Sequence, residues 1–308
     1  MKKLLSSWIA VCCLFLTAQS AYAESGLVQI SDHIYSYVDI KDGSPAYSYG
    51  ANAGIVVGQD AILVVDTLVS AKEGKRLLRD IRAISDKPIK YVVNTHYHLD
   101  HTFGNAEFAG LGVDIISHVI CADAIQKSAA DTLANANAYG LTPKDMEGTE
   151  LAYPNVTFTD KMGLDLGGLK VELIYIAPSH SKGSIVVYIA AEGVVFAGDI
   201  LFTDFHPYMA EGDIAGWQET LDSIMALYAD KIIPGHGPLS TNKDLADMKA
   251  YIVAFDKRAN DLAAGSNDLE YIVAELKKSM PARTRGEGLI QANVQGKYLK
   301  VENEQNQK

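Results

Sequence analysis

Hydrophobic positions along the chain follow two different periods. The runs Gly54–Val57 and Ala61–Val65 flank Gly58-Gln59-Asp60 and predict paired strands around a hairpin-like turn. Lys90–Asn94, Val113–Ser117, Val171–Ile176, Ser184–Ile189, Val194–Ala197 and Lys231–Ile233 are further strand candidates. Between them the spacing changes. Leu77, Leu78, Ile81 and Ile84 mark one helical stripe, and Trp217, Leu221, Ile224, Met225 and Tyr228 mark another. Leu245, Met248, Ile252, Phe255 and Leu262 predict a long helix, with a shorter one carrying Leu269, Ile272, Val273 and Leu276. Such stripes are faces that pack on sheet, so the alternation predicts a layered α/β architecture. No linker-like break divides residues 24–280, which read as one domain including the late helices. From Pro281 the pattern fades, and 281–308 reads as a polar tail, either loop or disordered.

The first residues depart from this pattern. Lys2 and Lys3 precede an apolar stretch from Leu4 to Leu16, followed by Ala21-Tyr22-Ala23 and Glu24. A positive start, a short apolar centre and a small-x-small end predict a signal peptide over 1–23, cleaved near Ala23. The expected destination is the periplasm or the exterior. Cys12 and Cys13 would leave with the leader, so the mature chain keeps only Cys121 and has no intrachain disulfide. No later apolar run approaches the roughly 20 residues of a membrane span. The 308 residues hold 38 acidic and 27 basic side chains, a formal charge of −11. That balance repels phosphate backbones and argues against nucleic acid as a partner, leaving a small-molecule substrate as the expected one. Oligomeric state is not legible from one sequence.

The candidate chemistry lies in the eight histidines. His96, His98, Asp100 and His101 are four donors within six positions, directly after a predicted strand. On an extended segment residues i and i+2 point the same way, so His96 and His98 can grip one ion. Asp100 and His101 then turn toward a second position as the chain leaves the strand. Imidazole is a preferred zinc ligand, and the carboxylate adds an oxygen donor. His180, Asp199 and His236 each sit where a predicted strand gives way to a loop, the place from which a rigid sheet aims side chains into a cleft. Glycines beside Asp199 and His236 allow close backbone approach.

With these motifs in this order, residues 27–262 resemble the metallo-β-lactamase-fold superfamily, and Leu63-Val64-Val65-Asp66-Thr67 is similar to its early signature. The resemblance implies a four-layer αββα sandwich with the site along one edge of two sheets. It implies that His96, His98 and His180 hold one metal, that Asp100, His101 and His236 hold a second, and that Asp199 bridges them. Two Zn²⁺ per chain are the implied cofactors, with iron or a mixed pair as alternatives. The implied activity is hydrolysis of an ester, thioester, lactone or lactam by a hydroxide that both metals share, with Asp100 orienting it or shuttling its proton. Zinc β-lactamases of this fold usually replace the bridging aspartate, so Asp199 disfavours antibiotic hydrolysis without excluding it. A mononuclear iron persulfide dioxygenase and a non-catalytic metal-binding protein are the other readings.

The remaining residues are read individually. Asp42–Gly50 resembles the position of a mobile flap, so Tyr47 and Tyr49 are candidate substrate contacts. His206 and Tyr208 are candidates for the cleft rim. Asp66 reads as a carboxylate orienting a ligand histidine. His118 reads as structural, His33 has no visible partner, and Cys121 reads as a buried, inert thiol.

Overall fold

A computed structural model describes residues 26–299; the predicted leader and residues 300–308 lie outside the described residues. Two sheets form the centre. Strands β1 (Leu27–Gln29), β2 (Ile34–Tyr37), β3 (Gly54–Val57), β4 (Ile62–Val65), β5 (Ile89–Val93), β6 (Asp114–His118) and β7 (Val156–Phe158) lie side by side in chain order. The second sheet has the order β12-β11-β10-β9-β8, with β8 (Lys161–Asp165), β9 (Lys170–Ile174), β10 (Val186–Ile189), β11 (Val194–Phe202) and β12 (Lys231–His236). Helices α1 (Ala71–Ile84), α2 (Leu99–Thr102), α3 (Asn105–Ala109) and α4 (Val119–Ala134) belong to the first half of the chain. The second half adds α5 (Ile214–Met225), α6 (Asn242–Ala263), α7 (Leu269–Ser279) and α8 (Gly288–Asn293).

The period-2 pattern of each central strand decides how the layers stack. In β4, Leu63 and Val65 face the other sheet and pack with Leu173, Val187 and Phe196. Ile62 and Val64 face the opposite way, onto Leu77 and Ile81 of α1 and Phe108 of α3. Every residue of β4 is therefore buried, as expected of a strand covered on both faces. The second sheet repeats the arrangement: Val186, Val195 and Ile232 turn outward onto Trp217, Leu245 and Phe255 of α5 and α6. Helix, sheet, sheet and helix make the four expected layers. Among the described residues no helix is long and apolar enough to cross a membrane.

The structure departs from the sequence reading in three places. Strands β1, β2, β7 and β8 were not expected; they are short or carry exposed positions, which blurs alternation. The run Val194–Ala197 continues to Phe202, because register shifts after Phe196 and Gly198 let the strand bend past β12 without ending. Asp199 thus lies inside a strand rather than at its end. The third departure is the tail: α8 and the turn Val294–Tyr298 are ordered, with Ile290 and Val294 buried against the α5–α7 side of the core. Their apolar spacing spans too few residues to stand out beside polar neighbours.

If that last segment belongs to the core, Ile290→Ala costs about 2–5 kcal/mol in chemical denaturation. A loss below about 0.5 kcal/mol, as for a surface change, would return 288–298 to the status of a tail.

Candidate metal centre

Two strand ends, a short helix, a loop and one strand interior aim their side chains at the junction of the two sheets. His96 and His98 follow β5, and α2 carries Asp100 and His101. His180 lies between β9 and β10, Asp199 in β11, and His236 ends β12. All except the partly buried His98 are buried. Their donor atoms form two groups: His96, His98, His180 and Asp199 in one, Asp100, His101 and His236 in the other.

Asp199 joins the groups through its two oxygens. Oδ2 lies 3.6 Å from His96 Nε2 and 3.5 Å from His180 Nε2. Oδ1 lies 3.1 Å from His101 Nε2 and 3.5 Å from His236 Nε2. His236 Nε2 is also 3.3 Å from Asp100 Oδ2. This density of donors needs close backbone, and a Cβ at Gly235 would fall on Asp199 Oδ1. Within the cluster His96 Nε2, His101 Nε2 and Asp199 Oδ1 are buried without a hydrogen-bond partner. Buried polar atoms left unmatched are costly, and here they converge; a pair of divalent cations fits these residues.

The cluster is held from behind. Asp66 Oδ2 is 2.8 Å from His101 Nδ1, while Thr95 donates its N–H and its hydroxyl to the same carboxylate. That fixes His101 with Nε2 toward the cluster, as expected for a carboxylate behind a ligand imidazole. Asp66 adopts φ of +61°, a left-handed conformation that aspartate tolerates better than most residues. His180 Nδ1 lies 3.1 Å from the Tyr208 carbonyl, so its Nε2 points inward. His98 uses the opposite nitrogen: Nδ1 is 2.9 Å from His180 Nε2, and Nε2 faces Glu211 at 3.5 Å.

Electrostatics sort the imidazoles. Burial holds His96 well below the usual histidine range and lowers His180 to about 3, keeping both neutral, the form that donates to a metal. Burial opposes charge on His101 and His236 as well. There the carboxylates prevail: Asp199 with Asp100 and Asp66 raises His101, and Asp199 with Asp100 raises His236 to about 9. Burial likewise opposes charge on Asp199, yet His236, His101 and His96 hold its carboxyl well below the usual range.

A sequence profile of the metallo-beta-lactamase superfamily matches residues 47–236, a span that contains all seven donors. The chain belongs to this superfamily. Among curated relatives, a metallo-beta-lactamase type 2 from Bacteroides fragilis is 23% identical over 216 residues, 68% of this chain and 78% of its own length. A linear primary-alkylsulfatase from a Pseudomonas strain is 24% identical over 228 residues, 63% of this chain. That match takes in 43% of the alkylsulfatase, so this chain spans less than half of its length. Among solved structures, a metallo-beta-lactamase from Pontibacter korlensis superposes with a TM-score of 0.58 at 21% identity, covering 73% of this chain and 96% of that one. That likeness concerns the fold.

Beside the cluster of this metallo-beta-lactamase-fold protein opens a cleft of about 710 Å³. Of the predicted substrate contacts, Tyr49 and Tyr208 line it. Tyr49 is tied across the opening, its hydroxyl donating to the Tyr139 carbonyl at 2.7 Å. Tyr47 does not line the cleft; it is 41% exposed beneath the Lys72 ammonium. His206 is also misplaced as a rim residue: it is buried, with Nδ1 2.6 Å from the Tyr251 hydroxyl of α6. A polar partner inside the core captures a histidine whose closeness to Asp199 in sequence had suggested the cleft rim. His33 has partners after all, the Val57 carbonyl at 3.1 Å and Glu192 at 4.0 Å. His118 is structural as expected, bonded to the Thr159 carbonyl and stacked on Tyr175. Cys121 is buried, and burial pushes its thiol pKa up.

Sequence reasoning missed Glu211, which receives the Tyr97 hydroxyl and faces His98. It also missed Asn293 of α8. This residue accepts from the Met209 N–H at 2.6 Å and donates to the Pro207 carbonyl at 2.8 Å, fixing the loop that carries Tyr208. Neither sits in a recognisable spacing; only a charged or amide residue in an apolar stretch hints at a role.

Two substitutions test the centre. Asp199→Ala removes the carboxylate that, among the described residues, reaches both groups, and metal content measured on the purified chain should fall together with activity. Unchanged metal and rate would remove the bridging role. Asp66→Asn keeps the size but not the charge behind His101, and should weaken metal affinity about 10- to 100-fold in a competitive chelator titration.

Proposed function

We propose that this chain is an exported, zinc-dependent hydrolase that cleaves an ester, thioester, lactone or lactam bond in a small molecule. The observation that carries the reading is the division of Asp199 between two donor groups, one oxygen to each. His96, His98 and His180 would hold one metal, Asp100, His101 and His236 the other, and Asp199 both. Such a pair supplies hydroxide near neutral pH and a Lewis acid for the carbonyl oxygen.

The chain's own residues do the rest. Asp100 lines the cleft, with Oδ2 3.3 Å from His236 Nε2, placed to orient the attacking water or hold its proton. Phe205 and Tyr208 flank the donors and keep bulk water from the reacting carbonyl, which strengthens electrostatic interactions inside. Phe202 stacks on the His236 ring at 5.1 Å and fixes its plane. The relatives' names do not agree on a substrate, so the bond type rests on this donor set. The leader-like residues 1–23 support export to the periplasm or beyond.

The test is to purify the mature chain, count its metals, and screen esters, thioesters, lactones and lactams, including a chromogenic cephalosporin. Two zinc ions per chain are expected, with activity lost on chelation and restored by zinc. One iron per chain with thiol-dependent oxygen uptake would overturn the reading. So would two bound zincs with no turnover of any member of the panel.

A further inference from the structure

Outside the metal cluster, the charge that lines the cleft is of one sign. Among the described residues that line it, none is a lysine or arginine. Its carboxylates are Asp100 and Asp199, which face the histidine donors, and Glu211, which faces His98 and, among the described residues, pairs with no lysine or arginine; the ammonium of Lys297 is bonded to the neighbouring Gly212 carbonyl. Both contacts of Glu211, from Tyr97 and to His98, use Oε2. Oε1 makes no hydrogen bond to a described residue, and the side chain is 43% exposed. The nearest guanidinium in sequence to the lining, Arg285, is turned to other work. It donates to Asp39 at 3.0 Å and to the Ile40 carbonyl at 3.1 Å, with Phe205 5.6 Å from its charge. Most of the remaining wall is apolar or aromatic, with Phe103, Ala129, Phe205, Leu289 and Ala292 in it, and the neutral hydroxyls of Ser128 and Thr132 add no charge.

An anion bound away from the metal pair would therefore give up water for a wall without a counter-charge and with a carboxylate nearby. An uncharged apolar group loses nothing there, and a cation gains Glu211. Resting on the hydrolase reading above, we propose that this cleft selects uncharged or cationic substrates with an apolar body and rejects those whose remote group is anionic. Glu211 is the specificity-determining charge. The chain's overall charge of −11 acts in the same direction at longer range.

The experiment uses three p-nitrophenyl esters of matched length on the metal-loaded protein: the neutral pentanoate, the cationic 4-(trimethylammonio)butanoate and the anionic hemiglutarate. The corresponding three anilides, which are not expected to turn over, are titrated calorimetrically against the same preparation. A single charge at this separation should make kcat/KM for the anionic ester about tenfold or more below the neutral one, with the anilide affinities in the same order. Glu211→Gln should bring the cation-to-anion ratio about tenfold closer to one, and Glu211→Lys should invert it. Because each variant is judged by a ratio between substrates, a general loss of metal cancels. An anionic ester and anilide that equal or exceed the neutral pair would overturn the selection and leave the hydrolase intact. If no ester is hydrolysed, the hydrolase reading is decided by the thioester, lactone and lactam members of the panel above, and the anilide series still decides the charge preference. Ratios that do not move in either Glu211 variant would remove that residue from the selection.

Discussion

Asp199 is a carboxylate buried among imidazoles, and the surrounding structure exists to make that position tolerable. A buried charge costs several kcal/mol unless it is paired and hydrogen-bonded. Here the pairing is distributed, since one oxygen serves His96 and His180 and the other serves His101 and His236. Three of the cluster's histidines are in turn held from the far side: His101 by Asp66, His180 by the Tyr208 carbonyl and His98 by Glu211. The bend in β11 follows from the same demand. A regular strand would carry Asp199 past the junction, whereas the register shifts around Gly198 hold it where both sheets contribute donors.

What was legible in the sequence is what local spacing encodes. The His-x-His-x-Asp-His run was readable because period 2 and a following turn place four donors within one short segment. The central strands were readable because burial on both faces makes them continuously apolar. Asp66 was readable as a supporting carboxylate through the likeness of Leu63–Thr67 to the superfamily's early signature, and the structure puts it 2.8 Å from His101. The edge strands were not, since β1 and β8 expose most of their positions and lose the contrast that alternation needs.

Residues whose meaning depends on distant neighbours were invisible or misread. Tyr97 and Glu211 meet across 114 positions, and nothing in either neighbourhood announces the other. His206 was placed in the cleft because Asp199 is close in sequence, but Tyr251, 45 positions away, draws it into the core. The C-terminal segment was underestimated for a similar reason. Its few apolar side chains cover a gap left by α5–α7, a need that only the assembled fold defines. Once in place, α8 does more than cover. Leu289 and Ala292 form cleft wall, and Asn293 anchors the loop of Tyr208.

The division of donors also has a mechanical side. Residues 96–101 follow a strand of one sheet, and His180, Asp199 and His236 lie in or between strands of the other. A cation pair at their junction would act as a cross-link, closing loops that run from residue 101 to residue 180 and from residue 96 to residue 236. In a chain whose only described cysteine is free, no covalent bridge ties those sheets together. Long closures are the ones in which a cross-link removes most entropy from the unfolded chain. The two halves would then be laced by the atoms that do the chemistry, so that resistance to unfolding and catalytic competence rise and fall with the same ions.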